Sequence, residues 1–296
     1  MAENLPTYFE PEFLRRLERL RLVAKRLSWS GPKGEHLSSK RGSSLEFSDH
    51  RKYHGGDDLR YVDWNIYRRL DRLFLKVFTA EEEMNVYLLL DASQSMAEGH
   101  PAKIEYARNV ALALGYIGLK NLDKVGGAAI SSDSLLPLAL GRGKKQILTL
   151  FDFLGNLSCR GETDLKASAK SFSALFPHPG LVVLLSDLFD PQGYRAGLEE
   201  LLRKKYRLLV IQILDPAEVQ PEPLGDVSLL DVESGRERKN FLDDRMVRAF
   251  HQELQKYLEE IESFCLNRQI DYLRASTAIP FEEFVLLTLR QVSVVR

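Results

Sequence analysis

From residue 84 onward, short apolar runs alternate with longer stretches in which apolar residues recur every three or four positions. The runs at 86–90, 125–130, 135–140, 181–185 and 208–214 predict strands. The stretches at 102–119, 145–157, 165–176 and 193–205 predict helices, the first with Ile104, Ala107, Val110, Ala111, Leu114 and Ile117 turned inward. Ser131-Ser132-Asp133-Ser134 separates two of the strands at hairpin distance. Strands joined by helices of this length predict right-handed crossovers and a mainly parallel sheet. The expected fold is therefore α/β, a mostly parallel sheet with helices on both faces.

Beyond a proline-containing loop at 216–223, residues 227–232 read as an edge strand closed by Glu233-Ser234-Gly235. Asp243 stands where it can cap a long helix with an apolar stripe of Met246, Val247, Phe250, Leu254, Tyr257, Leu258, Ile261 and Cys265. A further strand at 270–273 and a last helix at 281–289 complete the pattern.

Ahead of residue 84 the pattern changes. Residues 11–27 have helical periodicity, with Phe13, Leu14, Leu17 and Leu20 on one face and Arg15, Arg16, Arg19, Arg21, Lys25 and Arg26 on the other. A solvated basic face is the simplest account of those charges. Residues 30–44 are rich in Gly, Ser and Lys and read as loop. The next stretch mixes Asp57, Asp58 and Asp63 with Arg51, Arg60, Arg68 and Arg69 around Tyr53, Tyr61 and Trp64, and leads into a strand at 73–78. Its acids and bases are expected to form buried or half-buried pairs that tie an N-terminal layer to the main domain. The expected organisation is residues 1–80 as an N-terminal extension and 81–296 as the main domain.

Composition narrows the function classes. The 296 residues carry 41 basic and 42 acidic side chains, a net charge of -1, so steering toward nucleic acid is not expected. Cys159 and Cys265 match no metal spacing, and two cysteines in a chain of this length point to a reducing compartment. The opening residues have early acids and no apolar core, so no signal peptide is expected. The longest apolar run, 110–119, is half of the roughly 20 residues that a spanning helix needs, so no transmembrane segment and a cytoplasmic location are expected.

Candidate chemistry gathers where the first strand stops. The apolar run ends in Asp91, Ser93 and Ser95, three oxygen-bearing side chains at alternate positions. One carboxylate with two hydroxyls suits Mg²⁺, which takes oxygen ligands, far better than Zn²⁺, which prefers His and Cys. Asp187 ends the 181–185 strand as Asp91 ends the first, and Thr163 precedes a helix between them. If the two strands are neighbours, both aspartates reach one sheet edge, where open α/β folds bind ligands.

The set Asp91, Ser93, Ser95, Thr163 and Asp187 resembles the metal-ion-dependent adhesion site of von Willebrand factor A domains, with its Asp-x-Ser-x-Ser, Thr and Asp. The resemblance covers about residues 84–275. Upstream, YHGGDDLRYVDW at 53–64 resembles the signature of a bacterial family, domain of unknown function number fifty-eight, whose members carry such an A-like domain. The resemblance implies these five residues as ligands of Mg²⁺ (or Mn²⁺ or Ca²⁺). It also implies an adaptor role, with a MoxR-type AAA+ ATPase as partner and a client protein that supplies an Asp or Glu to the cation. Two positions depart from the pattern: Glu162 replaces a glycine before Thr163, and Leu188 replaces a glycine after Asp187.

An enzyme is the alternative, a Mg²⁺-dependent hydrolase of phosphatase type. Such enzymes place a second Asp two residues after the nucleophilic one, and here that residue is Ser93. There is no Gly-x-Ser-x-Gly elbow, residues 141–145 lack the P-loop spacing, and the six histidines show no triad or metal spacing. No catalytic residue is assigned.

Overall fold

The computed structural model describes Arg15 and residues 45–80, 84–131, 135–220, 225–230, 237–242 and 244–294. The expected helix at 11–27 (Arg15 apart), the loop at 30–44, Asp133, Glu233 to Gly235 and Asp243 lie outside the described residues. Residues 45–80 and 84–294 belong to two separate compact units.

In the smaller unit, β1 (Leu45–Lys52) pairs antiparallel with β2 (Phe74–Ala80), with a bulge between Phe47 and Asp49. Between them lies α1 (Trp64–Leu70). The Asp63 carboxylate starts α1 by accepting from the backbone of Asn65 at 2.9 Å and of Ile66 at 3.3 Å. His50 and Lys76 also approach Asp63, at 3.0 and 3.6 Å. The His50 hydrogen bond, the two backbone donors and the Lys76 charge outweigh desolvation and bring the Asp63 carboxyl down to about 2. Arg51 forks onto Asp57 at 2.6 and 2.7 Å, and Arg60 onto Asp58. The ion pairs expected of this stretch thus form, but Arg51–Asp57 and Arg60–Asp58 are exposed rather than buried. Nothing in the sequence pattern marked β1, because Asp49, His50, Arg51 and Lys52 break the alternation of apolar positions.

The larger unit is built on six strands. In chain order these are β3 (Asn85–Asp91), β4 (Lys124–Ile130), β5 (Leu135–Gly141), β6 (Leu181–Ser186), β7 (Arg207–Leu214) and, after an intervening hairpin, β10 (Asp271–Ser276). Across the sheet they run β10-β7-β6-β3-β4-β5. Every neighbouring pair is parallel except β4 with β5. From β3 the chain builds outward through β4 and β5, then returns to add β6, β7 and β10 on the other side. The order therefore reverses between β3 and β6, which pair in register from Val86↔Leu181 to Leu90↔Leu185. Such a reversal opens a crevice at the carboxyl ends of the two strands.

Helices cover both faces, so the inner strands β3, β4, β6 and β7 are buried almost end to end rather than alternating. On one side α2 (Lys103–Lys120), α3 (Gly143–Gly155) and α8 (Phe281–Val294) pack on Val86, Leu88, Leu90, Val183 and Ile211. On the other, α4 (Leu165–Leu175), α5 (Arg195–Arg203) and α7 (Asp244–Asn267) pack on Tyr87, Leu89, Val182, Leu184 and Val210. Burying each of these side chains contributes roughly 1.5–3 kcal/mol. Gly127, in β4, lies against β3 at φ +144, where an added Cβ would stand 1.9 Å from the Leu88 carbonyl oxygen.

Two expectations are sharpened. The expected edge strand forms over the described residues as β8 (Gly225–Leu230), which pairs antiparallel with β9 (Glu237–Leu242) in a ribbon separate from the central sheet. The second strand escaped notice because Glu237-Arg238-Lys239-Asn240 carries no apolar signal. The inward stripe of α7 begins later than its periodicity implies, since Met246 and Phe250 are exposed and Leu254, Leu258, Ile261 and Cys265 are buried. Among the described residues no helix is long and apolar enough to cross a membrane.

Candidate functional site

The crevice between β3 and β6 collects polar side chains from three loops. Asp91, the last residue of β3, is fully buried. Its carboxylate accepts from the Ser93 backbone at 3.0 Å, from the Ser186 hydroxyl at 2.6 Å, and from Thr163 Oγ1, which lies 3.2 and 3.1 Å from the two oxygens. Ser93 Oγ lies 3.0 Å from Ser95 Oγ. Ser93 and Thr163 are buried, whereas Ser95 is half-buried and stands at the outer side of the group.

Backbone bonds hold the first two loops together. Gln94 N donates to the Gly161 carbonyl and Arg160 N to the Ala92 carbonyl, both at 2.8 Å. Thr163 is fixed in turn by the start of α4, where the Asp164 side chain caps Ala167 N at 2.8 Å and Asp190 accepts from Leu165 N at 2.8 Å. Glu162 is exposed.

Asp187 follows β6 and is also buried. One oxygen accepts from Phe189 N at 3.1 Å, and the other is paired at 2.8 Å with the ammonium of Lys103, the first residue of α2. Lys103 Nζ also pairs with Glu218 of a short helix, α6 (Pro216–Val219), and lies 5.8 Å from the centre of the Phe189 ring. Glu218 closes a capping box with Asp215, whose carboxylate accepts from His100 N at 3.1 Å and from Thr277 Oγ1 at 3.0 Å. The buried Gln212 of β7 holds the Asp187 carbonyl at 2.8 Å, and its own side-chain oxygen accepts from Tyr272 at 2.5 Å.

Leu188 occupies the position at which the A-domain pattern has glycine, and it takes a left-handed conformation, φ +60, that favours glycine. A branched side chain pays for that conformation with about 1–2 kcal/mol of strain. Leu188 offsets the strain by burial, being 1% exposed in the core beneath α7, and its carbonyl accepts from Tyr257.

Electrostatically the crevice holds two buried acids and one buried base. Burial first, then the charge of Asp187, pushes the Asp91 carboxyl up to about 6, against the pull of its hydrogen-bond donors. For Lys103 burial works against the ammonium, but the Asp187 and Glu218 carboxylates together hold it above its ordinary range.

The structure thus gathers Asp91, Ser93, Ser95 and Thr163 into one hydrogen-bonded group and sets Asp187 at the same sheet edge. Sequence reasoning did not assign Ser186, Lys103, Gln212 or Glu218. A signal for Lys103 existed: with Ala107, Val110 and Leu114 it falls on the inward stripe of α2, a strange place for a charge. Among the described residues no three His, Cys, Asp or Glu are grouped so as to hold a metal, so any cation here must rely on hydroxyls.

The model of the family described as "Protein of unknown function DUF58" matches residues 49–260. The chain belongs to that family. All the residues of the crevice named above, except Tyr272 and Thr277, fall inside the matched span of this DUF58 protein. It is similar to an uncharacterized protein of Mycobacterium bovis, Mb1516, at 24% identity over 241 residues, 79% of this chain and 75% of the relative. Among solved structures it is similar to the conserved hypothetical protein BatB of Bacteroides thetaiotaomicron, with a TM-score of 0.45 and 15% identity over 71% of this chain and 99% of that one. It is also similar to an aerotolerance-related membrane protein of Bacteroides fragilis, with a TM-score of 0.41 and 17% identity over 70% and 99%.

Proposed function

We propose that this DUF58 protein is a protein-interaction module that works through a divalent cation, Mg²⁺ in the first place, with Mn²⁺ or Ca²⁺ as substitutes. The cation would be held by the hydroxyls of Ser93, Ser95 and Thr163 and by the carboxylates of Asp91 and Asp187. The observation that carries the proposal is the hydroxyl pair Ser93 and Ser95, 3.0 Å apart beside a buried carboxylate. Neighbouring oxygens in a Mg²⁺ octahedron, with metal–oxygen distances near 2.1 Å, are also about 3.0 Å apart. The residues therefore fit an oxygen-seeking ion.

When bound, such an ion supplies an electrophilic position that an Asp or Glu of another protein can fill. The chain's own part is to hold three hydroxyls and two acids rigidly at a sheet edge, the hydroxyls coordinating the ion without cancelling any of its charge. On the strength of the family resemblance, the partner to test first is a MoxR-type AAA+ ATPase, with a client protein as the donor of the acid, and the setting is cytoplasmic assembly or maturation. We favour an interaction role over a catalytic one because Ser93 stands where a phosphatase would need its second Asp.

Calorimetry with Mg²⁺ on the wild type and on Asp91→Ala tests the ligands; unchanged affinity in the variant sinks the assignment. Pull-down with and without Mg²⁺, wild type beside Ser93→Ala, tests the interaction. A partner set that depends on neither the ion nor Ser93 leaves the adaptor role without support. Phosphatase turnover abolished by Asp91→Ala would favour the enzyme instead.

A further inference from the structure

We infer that Lys103 is a resident counter-ion of the cation site, and that it keeps the site's affinity for divalent ions low. The inference rests on the cation reading above and adds a residue that the A-domain pattern does not contain.

Three observations carry it. First, the ammonium is placed on a proposed ligand: Lys103 Nζ is 2.8 Å from Asp187 Oδ2, and each side chain is 1% exposed. A divalent ion drawing on that carboxylate has to share it with a charge that is covalently part of the protein. Second, helix stability does not account for this lysine. Lys103 opens α2, and a cation at a helix N-terminus opposes the helix dipole. It also sits on the stripe of α2 that faces the core, where an uncharged side chain would avoid the cost of desolvation. Third, the lysine is held in place from its far side, since Glu218 takes a second ammonium proton and Phe189 lies beneath it.

Charge counting gives the direction. Asp91, Asp187 and Glu218 without the lysine would present three negative charges to an incoming ion; with Lys103 they present two. A divalent ion is then balanced rather than over-neutralised, which leaves it better able to capture a carboxylate from outside. The lysine thus trades affinity for the ion against affinity for the ion together with an acidic ligand.

The test is calorimetric titration of Mg²⁺ into the full chain, comparing wild type, Lys103→Met, Glu218→Gln and Asp91→Ala, with folding checked by circular dichroism. Lys103→Met should tighten the Mg²⁺ Kd at least tenfold. Glu218→Gln, which leaves the ammonium to Asp187 alone, should weaken it severalfold. A Lys103→Met Kd within twofold of the wild type, or weaker, overturns the inference. If Lys103→Met does not fold, Glu218→Gln decides, and an unchanged or tighter Kd overturns the inference. Asp91→Ala separates the two levels. Loss of binding there with no effect of Lys103→Met removes the role of the lysine alone. Wild-type binding in Asp91→Ala, or no binding in any of the proteins, removes the cation reading and this inference with it.

Discussion

Lys103 Nζ and Asp187 Oδ2 lie 2.8 Å apart, and each side chain is only 1% exposed. Removing Lys103 strands Asp187 as a buried unpaired charge, which costs about 3–5 kcal/mol, whereas removing Asp187 leaves the ammonium paired with Glu218 and costs less. Lys103→Met should destabilise by about that amount and Asp187→Leu by less, and the double variant should regain much of the Lys103→Met loss. Urea unfolding of the three proteins checks this. Additive losses would mean that the pair does not act as a unit.

Asp91 makes stability depend on pH in an unusual direction. The folded chain holds its proton up to about pH 6, while an unfolded aspartate releases it near 3.8. Stability due to this group is therefore complete below about pH 4 and is lost as pH rises through 6. With divalent ions chelated, Asp91→Asn should flatten that fall relative to the wild type. Thermal melts from pH 4 to 7 measure it, and identical slopes would rule out the raised carboxyl.

Gly127 admits no side chain. Its φ of +144 and the 1.9 Å approach of a hypothetical Cβ to the Leu88 oxygen mean that Gly127→Ala must push β4 away from β3. A loss of at least about 3 kcal/mol is expected, in the range of the most damaging single substitutions. Denaturant midpoints at constant m-value give the figure.

Leu188 inverts an ordinary ranking. At most positions alanine is more stable than glycine, but at φ +60 the Cβ is strained and glycine is not. Both truncations lose the buried side chain, yet Leu188→Gly should be more stable than Leu188→Ala by about 1 kcal/mol. The opposite order in paired unfolding curves would count against the left-handed backbone there.

The middle of the central sheet was legible because its inner strands are buried on both faces and so read as apolar runs, with Leu181 to Leu185 the clearest case. The strands β1 and β9 were not, since their charged residues leave no periodic trace and only the paired partner identifies them. In the crevice, Asp91, Ser93 and Ser95 stand together in the chain and were visible as a group. Ser186 and Lys103 were not, because a serine within an apolar strand and a lysine at a helix start are commonplace until the fold brings them to Asp91 and Asp187.

Asp91 and Ser186 are 95 positions apart along the chain, and Thr163 stands 72 from Asp91. Until β3 and β6 have found each other, the hydroxyls and acids are scattered, each solvated on its own. On the proposed cation reading, ion recognition would report that the middle of the sheet has closed, and a half-made molecule would have no grip to offer.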